Sequence, residues 1–329
     1  MAKASVIENL DCEASAMSCA ARVLRVRFAE ICELRAAALN PDDIEGVHDM
    51  RVATRRLRSA LRDFKPYLRK RIPQKRLKFI AATLGIVRDD DVAILALEKL
   101  RAQATGEVIE GIERLIEKRR RRREQARVAL AEAIREDVLA RLQEDFVARL
   151  DQAEIIADGK RRRKGGESVS ELSFRRVGRE IILSRFDELQ DLGESLYRPF
   201  EENPLHRMRI AAKRLRYALE LFTPCWGEPL ASLAEEIAGL QTSLGELHDC
   251  DVWIADLGKQ LLRHGKERIT DASGIAVSPA RQAAVFLLSH FVKERTKHFR
   301  DALARWHRWE INGFAVRLTA HLADSEVDG

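Results

Sequence analysis

A line of cations at one-turn spacing is the plainest chemistry this sequence offers. In the stretch HDMRVATRRLRSALRDFKP, residues His48, Arg51, Arg55, Arg58 and Arg62 recur every three or four positions. On a helix, at about 100° per residue, they fall within an arc of roughly 80°. Arginine suits phosphate because its planar guanidinium donates two parallel hydrogen bonds and stays charged. Repeated at one-turn intervals it makes a rail of contacts, a geometry that fits a polymeric anion better than a small metabolite. A merely solvated face usually mixes signs, because like charges one turn apart cost about 0.2–0.5 kcal/mol per pair. This arc holds no acid.

The stretch is used twice. HRMRIAAKRLRYALELFTP, His206 to Pro224, matches it without gaps at 11 of 19 positions, 158 residues further on. Its basic arc is His206, Arg209, Lys213 and Arg216, with Glu220 where the first copy has Arg62. Arg56 and Arg214 lie outside the arcs but occur in both copies. Apolar stripes run beside them: Met50, Leu57, Leu61 and Phe64, then Met208, Leu215, Leu219 and Phe222. A second landmark repeats in the same order, LGIVRDDDV from Leu84 and LGELHDCDV from Leu244, 160 residues apart. Two landmarks at nearly one spacing imply duplication of a whole unit.

The elements that must position these residues read as helices throughout. The chain is rich in Ala, Leu, Arg and Glu, 6% aromatic, and nearly free of strand signals, which predicts an all-α fold. Helices are expected from about Val6 to Leu39, along the basic stretch to Pro66, from Gln74 to Gly85, from Asp89 to Gly106, and from Glu107 to about Leu150 with one break. The second half repeats the plan: Glu171 to Gly193, Leu205 to Phe222, Pro229 to Leu244, Asp249 to His264, and Pro279 to about His321. Prolines, Pro66 and Pro224 among them, mark helix ends. Asp89, Asp91, Asp249 and Asp251 then begin helices after Leu-Gly loops, where aspartate caps free N–H groups or orients an arginine. A metal role for them needs further ligands that the sequence does not place.

Asp158 to Gly166 sets five bases among three glycines and reads as a flexible linker. It divides the chain into units 1–157 and 169–329, joined by 158–168. Ile269 to Ser278 reads as another loop. Six consecutive bases, Lys118 to Arg123, go all the way round a helix, so only some of them can face a ligand. Their counterpart by order is Lys293, Arg295, Lys297 and Arg300; Lys293, Lys297 and Arg300 share one face. Arg127 corresponds to Arg300.

Composition excludes several classes. Net charge is +6, a moderate excess whose clustering says more than its total. Five cysteines stand without a CxxC pair, which fits reduced thiols and supports neither a disulfide framework nor a Cys-rich zinc site. The start lacks a leader pattern and no apolar run approaches the length of a membrane span, so a soluble cytoplasmic protein is expected. The His-Asp pairs at 48–49 and 248–249 resemble fragments of the HD phosphohydrolases, but position 207 is Arg, so the duplicated feature is the histidine alone. No Gly-rich phosphate loop, GxSxG elbow or HExxH helix is present. A histidine at a helix start commonly caps or hydrogen-bonds within the core. At the head of an arginine rail His48 and His206 can instead bind phosphate as imidazolium, with affinity falling as pH rises.

The pattern His-x-x-Arg-(x)3-[Arg/Lys]-Arg-Leu-Arg-(x)2-Leu, then Leu-Gly-(x)2-[Arg/His]-Asp-x-Asp, twice over, resembles the CHAD family (conserved histidine α-helical domain) across nearly the whole chain. The resemblance implies two duplicated four-helix bundles related by a pseudo-twofold, with a central basic channel that binds inorganic polyphosphate, and association of some members with polyphosphate granules. It places His48, Arg51, Arg55, Arg56, Arg58, His206, Arg209, Lys213, Arg214 and Arg216 in the channel, with Arg62 on the same rail. Arg88, Lys75, Lys78, Arg127, Lys293, Lys297 and Arg300 are further candidates. Glu220 in place of Arg62 and His248 in place of Arg88 depart from the first copy and imply a weaker grip. No ExExK motif or β-rich segment points to a fused CYTH triphosphatase domain. The chain is therefore expected to be a stand-alone binding module, not an enzyme, with no cofactor or metal. Nucleic-acid binding is the alternative; few aromatics stand in the basic stretches to stack bases. A metal-dependent phosphohydrolase acting on polyphosphate is the second alternative.

Overall fold

The computed structural model describes residue 7 and residues 10–68, 72–155, 172–267 and 278–323. These form α1 (Ala16–Glu33), α2 (Arg35–Leu39), α3 (Ile44–Asp63), α4 (Lys75–Arg101), α5 (Glu107–Ala133), α6 (Glu136–Ile155), α7 (Phe174–Gln190), a 3-10 turn (Gly193–Tyr197), α8 (Glu202–Trp226), α9 (Glu228–Glu267), α10 (Pro279–Ile311) and α11 (Phe314–Ala323). The protein is all-α. Among the described residues the only β pairing is an isolated bridge between Ser15 and Ser173, and no helix is long and apolar enough to cross a membrane. The Gly-rich linker and residues 269–277 of the expected second loop lie outside the described residues.

Capping explains several starts. The Asp43 carboxylate accepts from the Glu45 and Gly46 N–H groups at the head of α3, and Ser173 and Ser278 do the same for α7 and α10. The first helix begins at Ala16, not Val6, because the chain before it pairs with the approach to α7: Ala16 N donates to Leu172 O, and Phe174 N to Ala14 O. This pairing also corrects the expectation of unpaired thiols. It sets Cys12 against Cys225 at the end of α8, where the two form a disulfide with a Cα separation of 5.6 Å. Pro224 does not stop α8, which runs on to Trp226. Proline there removes one i→i−4 hydrogen bond, and the helix still closes beyond it through Gly227 N donating to the Thr223 carbonyl.

The largest departure is at Leu84-Gly85 and Leu244-Gly245, where no loops form. Each half has one long helix, α4 or α9, in place of the two predicted. A helical glycine costs about 1 kcal/mol, whereas Leu84, Val87, Leu244 and Leu247 are all buried on these helices and favour continuation by more than that. The four aspartates therefore sit in mid-helix with no free N–H groups to cap. Their capping role falls away, and orienting arginines remains.

Both hydrophobic cores draw on both halves. The main core includes the apolar stripes of α3 and α8, all eight residues of which are buried. The second core is an arm built from the later turns of α4 and α9 and the early turns of α5 and α10, through Leu97, Ile112, Leu257, Leu287 and Phe291. Trp253 stacks on Phe291 there at 4.9 Å. The halves meet closely at Gly111, where a Cβ would lie 2.3 Å from the Pro279 carbonyl oxygen and 2.5 Å from the Ala283 Cβ. Gly111→Ala is expected to destabilise the protein by about 1–3 kcal/mol, the usual effect of overpacking, as measured by urea unfolding. Unchanged stability would contradict this close approach of α5 and α10.

Candidate functional site

The helices α3 and α8 are locked at one end by aromatic packing. Phe64 meets Phe222 edge-on at 6.1 Å, and Phe174 of α7 packs on Phe222 at 4.8 Å. With the apolar stripes turned into the core, the basic arcs of the two helices converge on one groove. Arg51 lies over Gly85 of α4, whose absent Cβ would stand 3.9 Å from its guanidinium, and it pairs with Asp89 at 3.1 Å. The second half repeats the arrangement: a Cβ on Gly245 would stand 3.8 Å from Arg209 Nε, and Asp249 is the acid that acts most strongly on Arg209. The Leu-Gly motif thus seats an arginine rather than making a turn, with the aspartate one turn later paired to Arg51 and acting electrostatically on Arg209.

Lys213 sits at the centre. Burial, followed by Arg55, Arg209, Arg62 and Arg51, pushes its ammonium down to about 7. These four arginines come from both copies, so α3 and α8 build one cluster together. Arg51 is lowered to about 10, by burial and then by Arg55 and Arg209, against Asp89 and Asp249. Arg58 and Arg62 are also lowered, first by burial; Arg55 adds to this at Arg58, and Arg214 and Arg185 at Arg62. Among the described residues, Arg58 Nε, Arg62 Nε, Arg214 Nε and His206 Nδ1 are shielded from solvent without a hydrogen-bond partner. Cations crowded together with donors to spare are poised for an external anion.

Other expected site residues are engaged within the protein. Arg56 is buried, with Glu30 at 3.9 Å and Glu220 at 3.8 Å. Arg214 pairs with Glu188 at 3.2 Å, and Arg216 with Glu220 at 2.6 Å. A second duplicated constellation, absent from the sequence reading, explains this. Arg27, Glu30 and Arg56 form one ion-pair network, and Arg185, Glu188 and Arg214, each 158 residues further on, form its twin. Glu220 therefore locks Arg56 and Arg216 together across the two halves. Its place on the arc reflects structural pairing rather than a gap in the rail.

Burial and neighbouring cations disfavour the imidazolium form of the three histidines near the groove. His48 is lowered by burial and Arg88, and His206 by burial, Arg209 and Lys213. His248, with its ring 4.3 Å from that of His206, is lowered to about 4 by burial, Arg209 and His206. Glu45, His48 and Asp49 could bring ligand atoms within 4.8 Å of one another, but Arg88 already pairs with Glu45 at 3.4 Å. The second copy has Asn203, His206 and Arg207 at the matching positions. The residues present do not favour a metal.

The outlying candidates divide. Lys75 and Lys78 share a face of α4 with Gly85 and Asp89, within an arc of roughly 80°, and are exposed. Arg127 donates to the Leu39 carbonyl at 3.4 Å, closing the end of α2. Lys293 and Arg300 are exposed, and Lys297 pairs with Glu294 at 3.6 Å; among the described residues no ion pair brings these three to the cluster. The basic run on α5 is mostly paired: Arg119 and Arg122 hold the buried Asp90 at 3.0 and 3.3 Å, and Arg123 holds Asp91 at 3.2 Å. Arg295 holds Asp251 in the same way at 2.6 Å. Arg119 also lies over Trp253, 5.1 Å from its ring centre, tying the halves together.

These features define a class: an all-helical protein in which two matched basic helices face a common groove. The chain belongs to the CHAD domain family, whose model matches residues 22–258. The crystal structure of the CHAD domain from the plant Ricinus communis superposes with a TM-score of 0.68 at 23% identity, over 93% of this chain and 95% of that one. PptA from Streptomyces chartreusis gives 0.58 at 16% identity, over 89% of this chain and 100% of that one. At these identities the likeness shows the fold. No match was found among curated protein sequences.

Lys213 allows a stability test. Its folded pKa, about 7 against the ordinary 10.5, means that the unfolded chain holds more protons between those values. Stability should therefore rise with pH across that window, and charge on Lys213 opposes folding below it. Lys213→Met is expected to be more stable than the wild type at pH 6 by about 1–2 kcal/mol, with the difference shrinking by pH 9, in urea unfolding. A variant less stable at pH 6 would contradict the placement of Lys213 among unneutralised cations.

Proposed function

We propose that this chain binds long-chain inorganic polyphosphate in the groove between α3 and α8, without transforming it. The observation that carries this reading is the cluster of Lys213 with Arg51, Arg55, Arg62 and Arg209, four guanidiniums pressing on one ammonium. A polyanion relieves that repulsion, accepts the unpartnered N–H groups, and releases counterions as it binds. The rail repeats at helical spacing from both copies, which suits a chain of identical charged units. Membership of the CHAD family supports the same ligand and association with polyphosphate granules. Binding rather than catalysis is favoured because Asp89, Asp91 and Asp251 are each held by an arginine, which leaves them poorly placed as general bases or metal ligands. With no cluster of aromatics along the rail, polyphosphate is favoured over nucleic acid.

Calorimetric titration of long-chain polyphosphate tests this, with pyrophosphate and single-stranded RNA as competitors. Tight, salt-sensitive binding is expected, weakened on the order of a hundredfold in Arg51→Ala/Arg55→Ala/Arg209→Ala. RNA competing as well as polyphosphate, or no preference for long chains over pyrophosphate, would refute the reading. Phosphate release on adding Mg²⁺ would refute the non-enzymatic part. The pH dependence has a definite sign. An anion raises the pKa of Lys213 in the complex, so affinity is greatest below pH 7 and falls as pH rises through the free value of about 7. Titrations at pH 8 in buffers of different ionisation enthalpy should show proton uptake, which Lys213→Arg should largely remove.

A further inference from the structure

Behind the groove, α9, α10 and α11 enclose an open concavity of about 550 Å³, lined by Glu236, Arg305, Arg308, Trp309, Asn312 and Arg317. Its size falls within the roughly 300–1,000 Å³ of small-ligand sites. Helix geometry separates it from the groove: Glu236, Gly239 and Ser243 lie between roughly 120° and 180° round α9 from Gly245, the residue beneath Arg209. Nothing in the duplicated motifs predicts it.

Two of these arginines are anchored by neighbouring groups, Arg305 being exposed and Arg317 half-buried. Arg305 Nε donates to Ser243 Oγ at 3.3 Å, and its guanidinium rests where the Cβ of Gly239 would stand, 2.6 Å from Nη1. Arg317 is clamped by Glu236 through two hydrogen bonds of 2.7 and 2.9 Å, and its Nε donates to the Asn312 carbonyl at 3.3 Å. Arg308 is exposed at the rim. A single carboxylate therefore faces three guanidiniums, and it is already committed to one of them. Arg305 Nη1 is tucked against Gly239, and among the described residues no acid pairs with its guanidinium, whose outer edge is open to a ligand. The back wall, Trp309, stacks on Phe314 at 4.7 Å and packs against Trp306 at 5.8 Å. Its ring is buried, so the site selects for charge rather than for a stacked base.

We infer that this concavity is a second anion site, which takes a compact phosphate dianion through Arg305 and Arg308, with Arg317 held in place by Glu236. A short phosphate chain and a phosphomonoester present the same dianionic end group, and two probes separate them. Tripolyphosphate and glycerol 3-phosphate are titrated calorimetrically into Arg51→Ala/Arg55→Ala/Arg209→Ala, in which the groove is disabled. At least one probe is expected to bind at a single residual site, and the one that binds identifies the source. That binding should weaken at least tenfold when Arg305→Ala and Arg308→Ala are added. Gly239→Ala, which displaces Arg305 without changing charge, should also weaken it. No residual site for either probe, or a residual site indifferent to Arg305 and Arg308, would overturn the inference. Failure of the groove to bind long polyphosphate would leave these outcomes unchanged, so the two proposals fail separately.

Discussion

The rest of the structure depends on repulsion held in place. Two arginine-rich helices are packed side by side, although their like charges favour separation, and Lys213 lies where four arginines act on it. The force opposing this is apolar. The stripes of α3 and α8 are buried in the main core, and burying a large side chain is worth about 1.5–3 kcal/mol. The Phe64, Phe174 and Phe222 contacts fix the helix ends. The groove is preorganised for an anion because the core, not the anion, assembles it.

The distribution of acids is as specific as that of the bases. Glu30, Glu188 and Glu220 neutralise the arginines on the core side of α3 and α8, namely Arg56, Arg214 and Arg216. Asp90, Asp91 and Asp251 neutralise the arginines of α5 and α10. Among the described residues, Asp89 and Asp249 stand beside the arginines seated on the helical glycines, and Asp63 lies 3.9 Å from Arg62. Ion pairing therefore sorts the basic residues into those neutralised by acids within the protein and those left facing the groove without full compensation.

Much of this was legible in the sequence, for identifiable reasons. The all-α class and the apolar stripes followed from periodicity, which depends only on local geometry. So did the shared face of His48, Arg51, Arg55, Arg58 and Arg62. Whether an arginine also meets an internal acid depends on helices far away in sequence, which is why the pairing of Arg56, Arg214 and Arg216 and the contact of Arg127 with Leu39 could not be read from spacing. A signal was nonetheless present: Arg27 and Glu30 recur as Arg185 and Glu188 at the offset of the basic stretch. The Leu-Gly loops misread as helix ends show the limit of local propensity, since burial of the flanking leucines outweighs one glycine. The Cys12–Cys225 disulfide spans 213 residues and follows from the pairing of chain segments before α1 and α7, which no cysteine spacing reveals.

The central claim is that the groove's charge is uncompensated until an anion arrives. The slope of log affinity against log salt for long-chain polyphosphate tests it most directly, measured at pH 6 for the wild type, Lys213→Met and Lys293→Met. Each cation neutralised by the ligand contributes a slope on the order of one. The account predicts that Lys213→Met lowers the slope by about that amount, while Lys293→Met on the exposed face of α10 leaves it unchanged. Equal slopes for the wild type and Lys213→Met would contradict the account, because the ligand would then be bound by cations elsewhere.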